Sequence, residues 1–375
     1  MNQIRLFLSL CLGFLSFTVW ASTAPNIQAR AWVLIDQPSG RILASGNPDV
    51  QLPPASLTNL MTAYLLFTDL RNNKLTLDKA LSVPINALRH EGPTLFLSAG
   101  ETVTVETLLE GMLVHSASDA TLTLIEAVAR SEAAFVTRMN NEARRMGMTR
   151  TRFTNAMGLD QPGHISTARD LAMLARTLRQ EFPQYRHLFM EKSFSHKGIH
   201  FYNPNRLLWM DTSVDGLKAG RTPRAGFSVV ASATRGDQRR IAVVLGAYTD
   251  TRRVQYAQSL LNYGFEYFDG ARLYQAGQVI KNVRLYRGAR DSVSLGLAQD
   301  FYILVGKGAV SRVKAQVLTQ QPVVAPVRKG QPLGRLRLSL DGAVLGEYPL
   351  LATHDVEVAG ILSRSWDSIK LMFSR

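Results

Sequence analysis

The strand signals in the first 270 residues of this chain stand at the two ends of that stretch, with helical periodicity filling the middle. Residues 31–36 (Ala-Trp-Val-Leu-Ile-Asp) and 41–44 are apolar runs around Gln37-Pro38-Ser39-Gly40, a β-hairpin pattern. Residues 227–233 (Phe-Ser-Val-Val-Ala-Ser-Ala) and 240–246 (Arg-Ile-Ala-Val-Val-Leu-Gly) are β-rich again, separated by Arg235-Gly236-Asp237. Strands at both ends with helices between them imply an α+β domain.

The helical middle opens near Ser56. Pro53-Pro54 breaks what precedes, and Leu57, Leu60, Met61, Tyr64 and Leu65 then recur at helical spacing. Further helical segments are expected over residues 105–113, 119–129, 135–146 and 168–179. The pattern returns to strands from Leu207, and a helix over residues 252–268 closes the unit. After Asp269-Gly270 come short apolar alternations broken by Gly and Pro, with no sustained helical period, so a small all-β domain is expected over residues 271–355. Residues 356–375 form a third element. Val358, Ile361, Leu362, Trp366, Ile369, Met372 and Phe373 fall at steps of three and four, with Arg364, Asp367, Lys370 and Arg375 largely off that face. This amphipathic helix is too polar to span a bilayer and suits an anionic membrane surface.

The N-terminus reads as an export signal over residues 1–21. Arg5 precedes an apolar run over residues 6–20, and Val19-Trp20-Ala21 offers a cleavage site, with Ala24 as an alternative. The one cysteine, Cys11, lies inside that run, so the processed chain has no disulfide, thiolate metal site or cysteine nucleophile. The net charge of +14 is spread along the chain. It suits anionic membranes or an acidic wall polymer, and nucleic acid is not expected as a partner of an exported chain.

A serine becomes a useful nucleophile only when a base within hydrogen-bond reach takes its proton. Three segments bear on that requirement: Pro53-Pro54-Ala55-Ser56-Leu57-Thr58-Asn59, Ser116-Ala117-Ser118-Asp119-Ala120 and Asp215-Gly216-Leu217-Lys218-Ala219-Gly220-Arg221-Thr222. The one literal Ser-x-x-Lys, Ser311-Arg312-Val313-Lys314, lies in the expected β-domain, where alternation would put the two side chains on opposite faces. His196 and His200 have the spacing of helical metal ligands, but Gly198 and strand-like Phe201-Tyr202 argue for a surface or strand pair. His115 is expected to pack beside the cleft, Asp119 to cap the following helix, and Arg169-Asp170 to be structural. No phosphate loop, dinucleotide fingerprint or Gly-x-Ser-x-Gly elbow occurs.

The three segments, in this order and spacing, resemble the active-site motifs of the penicillin-binding serine peptidases. Gly158-Leu159-Asp160, Ser166-Thr167-Ala168-Arg169-Asp170-Leu171-Ala172, Asn205-Arg206-Leu207-Leu208-Trp209 and Val214-Asp215-Gly216-Leu217-Lys218 extend the resemblance to the low-molecular-mass D-alanyl-D-alanine carboxypeptidases. The resemblance spans nearly the whole chain beyond the leader. It implies a penicillin-binding transpeptidase/β-lactamase-like domain over residues 25–270, an antiparallel sheet with a helical subdomain, then the small β-domain and the tail. It implies a periplasmic protein on the outer face of the inner membrane that needs no metal or cofactor. Peptidoglycan stem peptides are its implied substrates, with β-lactams as further ligands.

Carried over by position, Ser56 is the nucleophile, Ser116 the second hydroxyl and Lys218 the strand cation, with Lys218, Gly220, Arg221 and Thr222 as substrate-binding positions. Three positions depart from the motifs. Asn59 stands where the motif has Lys, Ser118 where it has Asn, and Ala219 where it has Thr. Arg221 also replaces a smaller polar residue or His. Loss of a general base costs about 10²–10⁴ in rate, and a lost substrate-gripping amide or hydroxyl about 1–3 kcal/mol each. The expectation is a stem-peptide-binding carboxypeptidase homologue with impaired hydrolysis. The alternatives are an active carboxypeptidase using Lys218 as base and a non-catalytic cell-wall scaffold.

Overall fold

The computed structural model describes residues 24–360 except Arg130 and Gln320. The expected leader with Cys11, and residues 361–375 of the tail, lie outside the described residues. In the first domain the elements run β1 (Ala31–Asp36), β2 (Ile42–Gly46), α1 (Asn59–Arg71), β3 (Ala80–Ser82), β4 (Thr102–Thr104), α2 (Val105–Glu110), α3 (Ser118–Val128), α4 (Glu132–Arg145) and α5 (Ala168–Glu181). They continue with α6 (His187–Met190), β5 (Ser193–His196), β6 (Ile199–Tyr202), α7 (Leu207–Met210), β7 (Val214–Thr222), β8 (Gly226–Arg235), β9 (Gln238–Ala247) and α8 (Asp250–Tyr267).

The five-stranded sheet has the order β2-β1-β9-β8-β7 and is antiparallel throughout. Its centre joins the two ends of the domain. All six residues of β1 pair with β9, from Ala31 opposite Leu245 to Asp36 opposite Arg240. Both faces of β1 are buried, because helices cover both sides. Ala31, Val33 and Ile35 pack with residues of α1 and α5, whereas Trp32 and Leu34 pack with Val254, Ala257, Leu260 and Leu261 of α8. Helix α1 is buried almost all round, from Leu60 to Leu70, as a helix inside a helical subdomain must be. The expected return to strands from Leu207 holds only from Val214, since residues 207–210 form the helical turn α7.

The second domain is all β: β10 (Phe268–Tyr274), β11 (Lys281–Tyr286), β12 (Ser292–Gly296), β13 (Phe301–Gly306), β14 (Val313–Thr319), β15 (Val323–Val324), β16 (Pro332–Leu340) and β17 (Ala343–Ala352). Its main sheet has the order β14-β16-β17-β12-β11-β15, beside the pair β10-β13. The β16–β17 hairpin turns on Asp341-Gly342, both at positive φ, as a two-residue turn between right-twisted strands requires. Ser311 lies in a short 3-10 turn ahead of β14, so strand alternation does not relate it to Lys314 as the sequence reading supposed. Residues 356–360 are not helical. Val356 bridges to Val327 and Val358 to Gly288, which ties the start of the expected tail helix to the β-domain.

One buried cation holds the end of β1, the end of α8 and the first residue of the β-domain together. Arg240 has no solvent exposure. It pairs with Asp36, and its guanidinium donates to Gly264 O at 3.1 Å, Gln238 Oε1 at 2.6 Å and Phe268 O at 3.2 Å. Removing one partner of a buried, hydrogen-bonded pair leaves an uncompensated charge. Arg240→Ala should therefore cost about 3–5 kcal/mol of stability, measured by urea unfolding. A loss within the range of an ordinary surface substitution would show that the junction does not depend on this residue.

Candidate active site

The chain enters α1 through a tight turn. Residues 55–58 form one 3-10 turn after Pro53-Pro54, and Ala55 sits at φ 52, in the left-handed region. Two glycines let the rest of the domain close on this turn. A Cβ at Gly158 would come within 1.9 Å of Ala55 O, and one at Gly220 on β7 would come within 2.8 Å of Ser56 N. Ser56 is thus wedged between the 154–164 loop and the edge strand, half-buried, with its side chain on the cleft.

The loop behind the turn is itself pinned. Asn155 Oδ1 accepts from the backbone N–H groups of Met157, Gly158 and Leu159. Buried His164 accepts the Thr154 N–H at Nδ1, so its proton is on Nε2 and goes to Thr58 Oγ1 at 2.9 Å. Thr58 in turn donates to Ala55 O at 2.8 Å. Burial pushes the His164 imidazolium down to about 4, which keeps the ring neutral in this chain of contacts.

Ser116 caps a single π-helical turn, Gly111–His115, in the left-handed conformation (φ 63, ψ 32). Lys218 on β7 is fully buried and its Nζ donates to Ser116 Oγ at 2.6 Å. Burial, followed by repulsion from the Arg253 guanidinium, pushes the Lys218 ammonium down to about 7. His115 is half-buried, packs its ring 4.8 Å from that of Phe201, and is also pushed down, by burial first and by Lys218 second.

The three positions that the sequence reading set apart, Asn59, Ser118 and Ala219, have different surroundings. Asn59 is 1% exposed, and neither its Nδ2 nor its Oδ1 has a hydrogen-bond partner among the described residues. An amide oxygen has no useful basicity, so the position cannot serve as a proton acceptor. Ser118 donates its hydroxyl to Glu91 O at 3.0 Å. Ala219 lines the cleft and presents only a methyl group. Thr222 also reaches the cleft, but its hydroxyl donates to Asp160 Oδ1 at 2.7 Å and accepts from Ala225 N.

The cleft encloses about 580 Å³ and brings Ser56, Ser116, Ser118, Ala219, Gly220, Arg221 and Thr222 onto one surface. Lys218 lies beneath it. Three arginines converge there. Arg253 pairs with Asp250 and donates to the carbonyls of Pro204, Ser228 and Gly220, so its terminal nitrogens are used by the protein. Arg206 lies 3.6 Å from the same Asp250. Arg221 is exposed and stacks 5.1 Å over Phe227, with no carboxylate partner among the described residues. It is the open guanidinium of the cleft.

Sequence reasoning passed over Arg253, Asp250 and His164. The first two sit at the start of the closing helix, where a charged turn reads as a solvated end, and His164 lies in no regular element. Asp119 does not cap its helix as expected. It accepts from the backbone N–H groups of Leu95, Leu97 and Ala120. His196 and His200 lie on the hairpin β5–β6, and Glu101 lies 3.4 Å from His196, a neighbour the sequence did not reveal. Arg169 pairs with Asp49, and Asp170 accepts from Arg150 N and Thr151 Oγ1, away from the cleft.

Residues 18–249 match the peptidase S11 family, D-alanyl-D-alanine carboxypeptidase, and residues 268–358 match the C-terminal domain of penicillin-binding protein 5. The chain is 37% identical over 358 residues to D-alanyl-D-alanine carboxypeptidase DacC of Escherichia coli (strain K12), covering 93% of this chain and 90% of that protein. Penicillin-binding protein 5 from Haemophilus influenzae has the same fold, with a TM-score of 0.85 at 35% identity over 89% of this chain and 99% of that one. Penicillin-binding protein D2 from Listeria monocytogenes, solved in a cefotaxime-bound form, matches with a TM-score of 0.59 at 31% identity over 65% of this chain and 99% of its own. A family model that covers residues 18–249 and a relative 37% identical over 93% of this chain show where it belongs: it is a member of the D-alanyl-D-alanine carboxypeptidase family of penicillin-binding proteins.

Proposed function

We propose that the cleft takes the D-alanyl-D-alanine end of peptidoglycan stem peptides and is acylated on Ser56, slowly for want of a lysine at position 59. The observation that carries this reading is the 2.6 Å contact between Lys218 Nζ and Ser116 Oγ in a site where burial holds the amine near 7. A neutral amine there can accept the Ser56 proton through the Ser116 hydroxyl as Ser56 Oγ bonds to the substrate carbonyl carbon. The same amine returns the proton to the leaving D-alanine nitrogen as the C–N bond breaks, and water then hydrolyses the acyl-enzyme. The unpaired amide of Asn59 supports the slow limit and, in the extreme, the rival reading of a ligand-binding scaffold.

Labelling with a fluorescent penicillin, read by intact mass, separates the two. The first reading expects one adduct on Ser56, with a rate that rises with pH through about 7 and then levels as Lys218 loses its proton. Lys218→Met should abolish labelling, and Asn59→Lys should speed it by about 10²–10⁴. Absence of any adduct in the parent protein at pH 8–9 favours the scaffold. Labelling that persists unchanged in Lys218→Met rejects the lysine as base.

Arg221 is the residue free to take the substrate carboxylate bidentately, in place of the hydroxyl missing at Ala219. Arg221→Ala should weaken binding of a D-Ala-D-Ala peptide roughly 10–100-fold, the range for a charge-assisted hydrogen bond. Titration calorimetry on a Ser56→Ala background reads this without turnover, and an affinity unchanged within error would remove Arg221 from the site.

Export is supported by the run over residues 6–20 after Arg5 and by the absence of cysteine beyond it. A periplasmic protein resting on the inner membrane through residues 361–375 is the matching location. Deleting those residues should move the protein from the membrane to the soluble fraction, and a protein still sedimenting with membranes would count against the tail as anchor.

A further inference from the structure

Segment 91–97 forms one wall of the cleft, with Gly92 and Pro93 facing it across from β7. It has no regular secondary structure, so its own backbone bonds do not hold it in place. It is held instead from the start of α3. The Ser118 N–H donates to Pro93 O at 2.7 Å, and the Ser118 hydroxyl donates to Glu91 O at 3.0 Å. One residue on, the Asp119 carboxylate accepts from Leu95 N at 3.0 Å and Leu97 N at 3.2 Å. On the far side Lys197, at the tip of the β5–β6 hairpin, donates to Phe96 O at 3.4 Å and pairs with Glu101.

The fit under this wall is close. Gly92 is at φ +112, and a Cβ there would come within 2.8 Å of Ser118 Oγ. Ser118 itself is 1% exposed. A hydroxyl has a single proton, and this one is already given to Glu91 O, so Ser118 has no donor left for a ligand. The side chain that stands at a motif position on the cleft is turned to the wall.

We propose that Ser118 is a positioning residue, a latch that fastens segment 91–97 onto the head of α3 and thereby sets how far the cleft opens above Ser56 and Ser116. The proposal depends on the cleft being the ligand site, but the latch is a property of the wall and is read without activity. With both ends of the wall fastened, small ligands enter without moving it, and ligands with a bulky group on the acyl side must lift it. An asparagine at this position would disturb the wall, because the longer side chain lies beneath Gly92 and must push it outward.

Hydrogen exchange on the full chain, comparing the parent with Ser118→Ala and Ser118→Asn, tests this. The Leu95 and Leu97 amides should exchange up to about tenfold faster in both variants, the factor that one neutral hydrogen bond provides, while the β8 and β9 amides keep their parent rates. Gly92→Ala, which crowds the same hydroxyl from the other side, should give the same pattern without touching Ser118. Unchanged Leu95 and Leu97 rates in Ser118→Ala and Gly92→Ala overturn the latch. A second measurement is the ratio of Ser56 acylation rates for a bulky and a small β-lactam. That ratio should rise severalfold in Ser118→Ala, and a ratio equal to the parent's despite faster exchange overturns the claim that the latch controls opening. If neither compound acylates the parent protein, the acylation reading of the preceding subsection fails, and the exchange rates still decide the latch.

Discussion

The pairing of β1 with β9 is the constraint on which the rest of the first domain depends. Residues near the start of the described chain lie inside the sheet, between a hairpin partner and the central strand β9 from the far end of the domain. Everything between must therefore be accommodated outside the sheet, and α1 leaves its edge already aimed into the helical subdomain. That closure brings the turn at Ser56 against β7, whose Gly220 leaves room for the Ser56 backbone. Ser56 at a helix head and the strand β7 that carries Lys218, remote in the chain, thus meet at the edge of this sheet.

The electrostatics of the site follow from burial more than from charge count. Lys218 has no solvent contact and, among the described residues, no carboxylate partner, so its charged form is disfavoured and the amine falls to about 7. Arg253 adds to this by its field while its donors are spent on Asp250 and on backbone carbonyls. Two of the three arginines of the cleft consequently differ, since Arg253 is bonded into the scaffold and Arg221 has no carboxylate partner among the described residues. Asn59 extends the pattern. A polar group buried without partners has a cost of about 1–3 kcal/mol, and Asn59 lies in the helix that begins at the turn of Ser56, where a structural core would favour an apolar side chain.

Much of this was legible from residue order. Helical spacing at residues 105–113, 119–129, 135–146 and 168–179 marked four helices, apolar runs marked strands of the first domain such as β1, buried on both faces, and alternation marked those of the second, because burial on one face repeats apolar residues at the period of the element. The order of Ser56, Ser116 and Lys218, with their flanks, was enough to suggest one cleft. The errors have a common physical origin. Asp119 carries the right chemistry for a cap, but its carboxylate is taken by the backbone of the 95–97 loop, whose position only packing defines. Leu207–Met210 carries strand-like residues in a helical turn, since four residues are too few for a period to show.

By itself the sequence determined the types of element, the all-β character of the second domain, the serine at the head of α1 and the identities of the side chains at Asn59, Ser118 and Ala219. These are consequences of local periodicity and of residue identity. Only the tertiary structure decided which polar groups remain free: that Arg221 is open and Arg253 is not, that Ser118 fastens a wall instead of facing a ligand, and that Lys218 is dry enough to lose its proton near neutrality. The physical reason is that a hydrogen-bond partner and a local dielectric are supplied by segments distant in the chain. Their arrival at one place is fixed by closure of the sheet and cannot be read from the residues that await them.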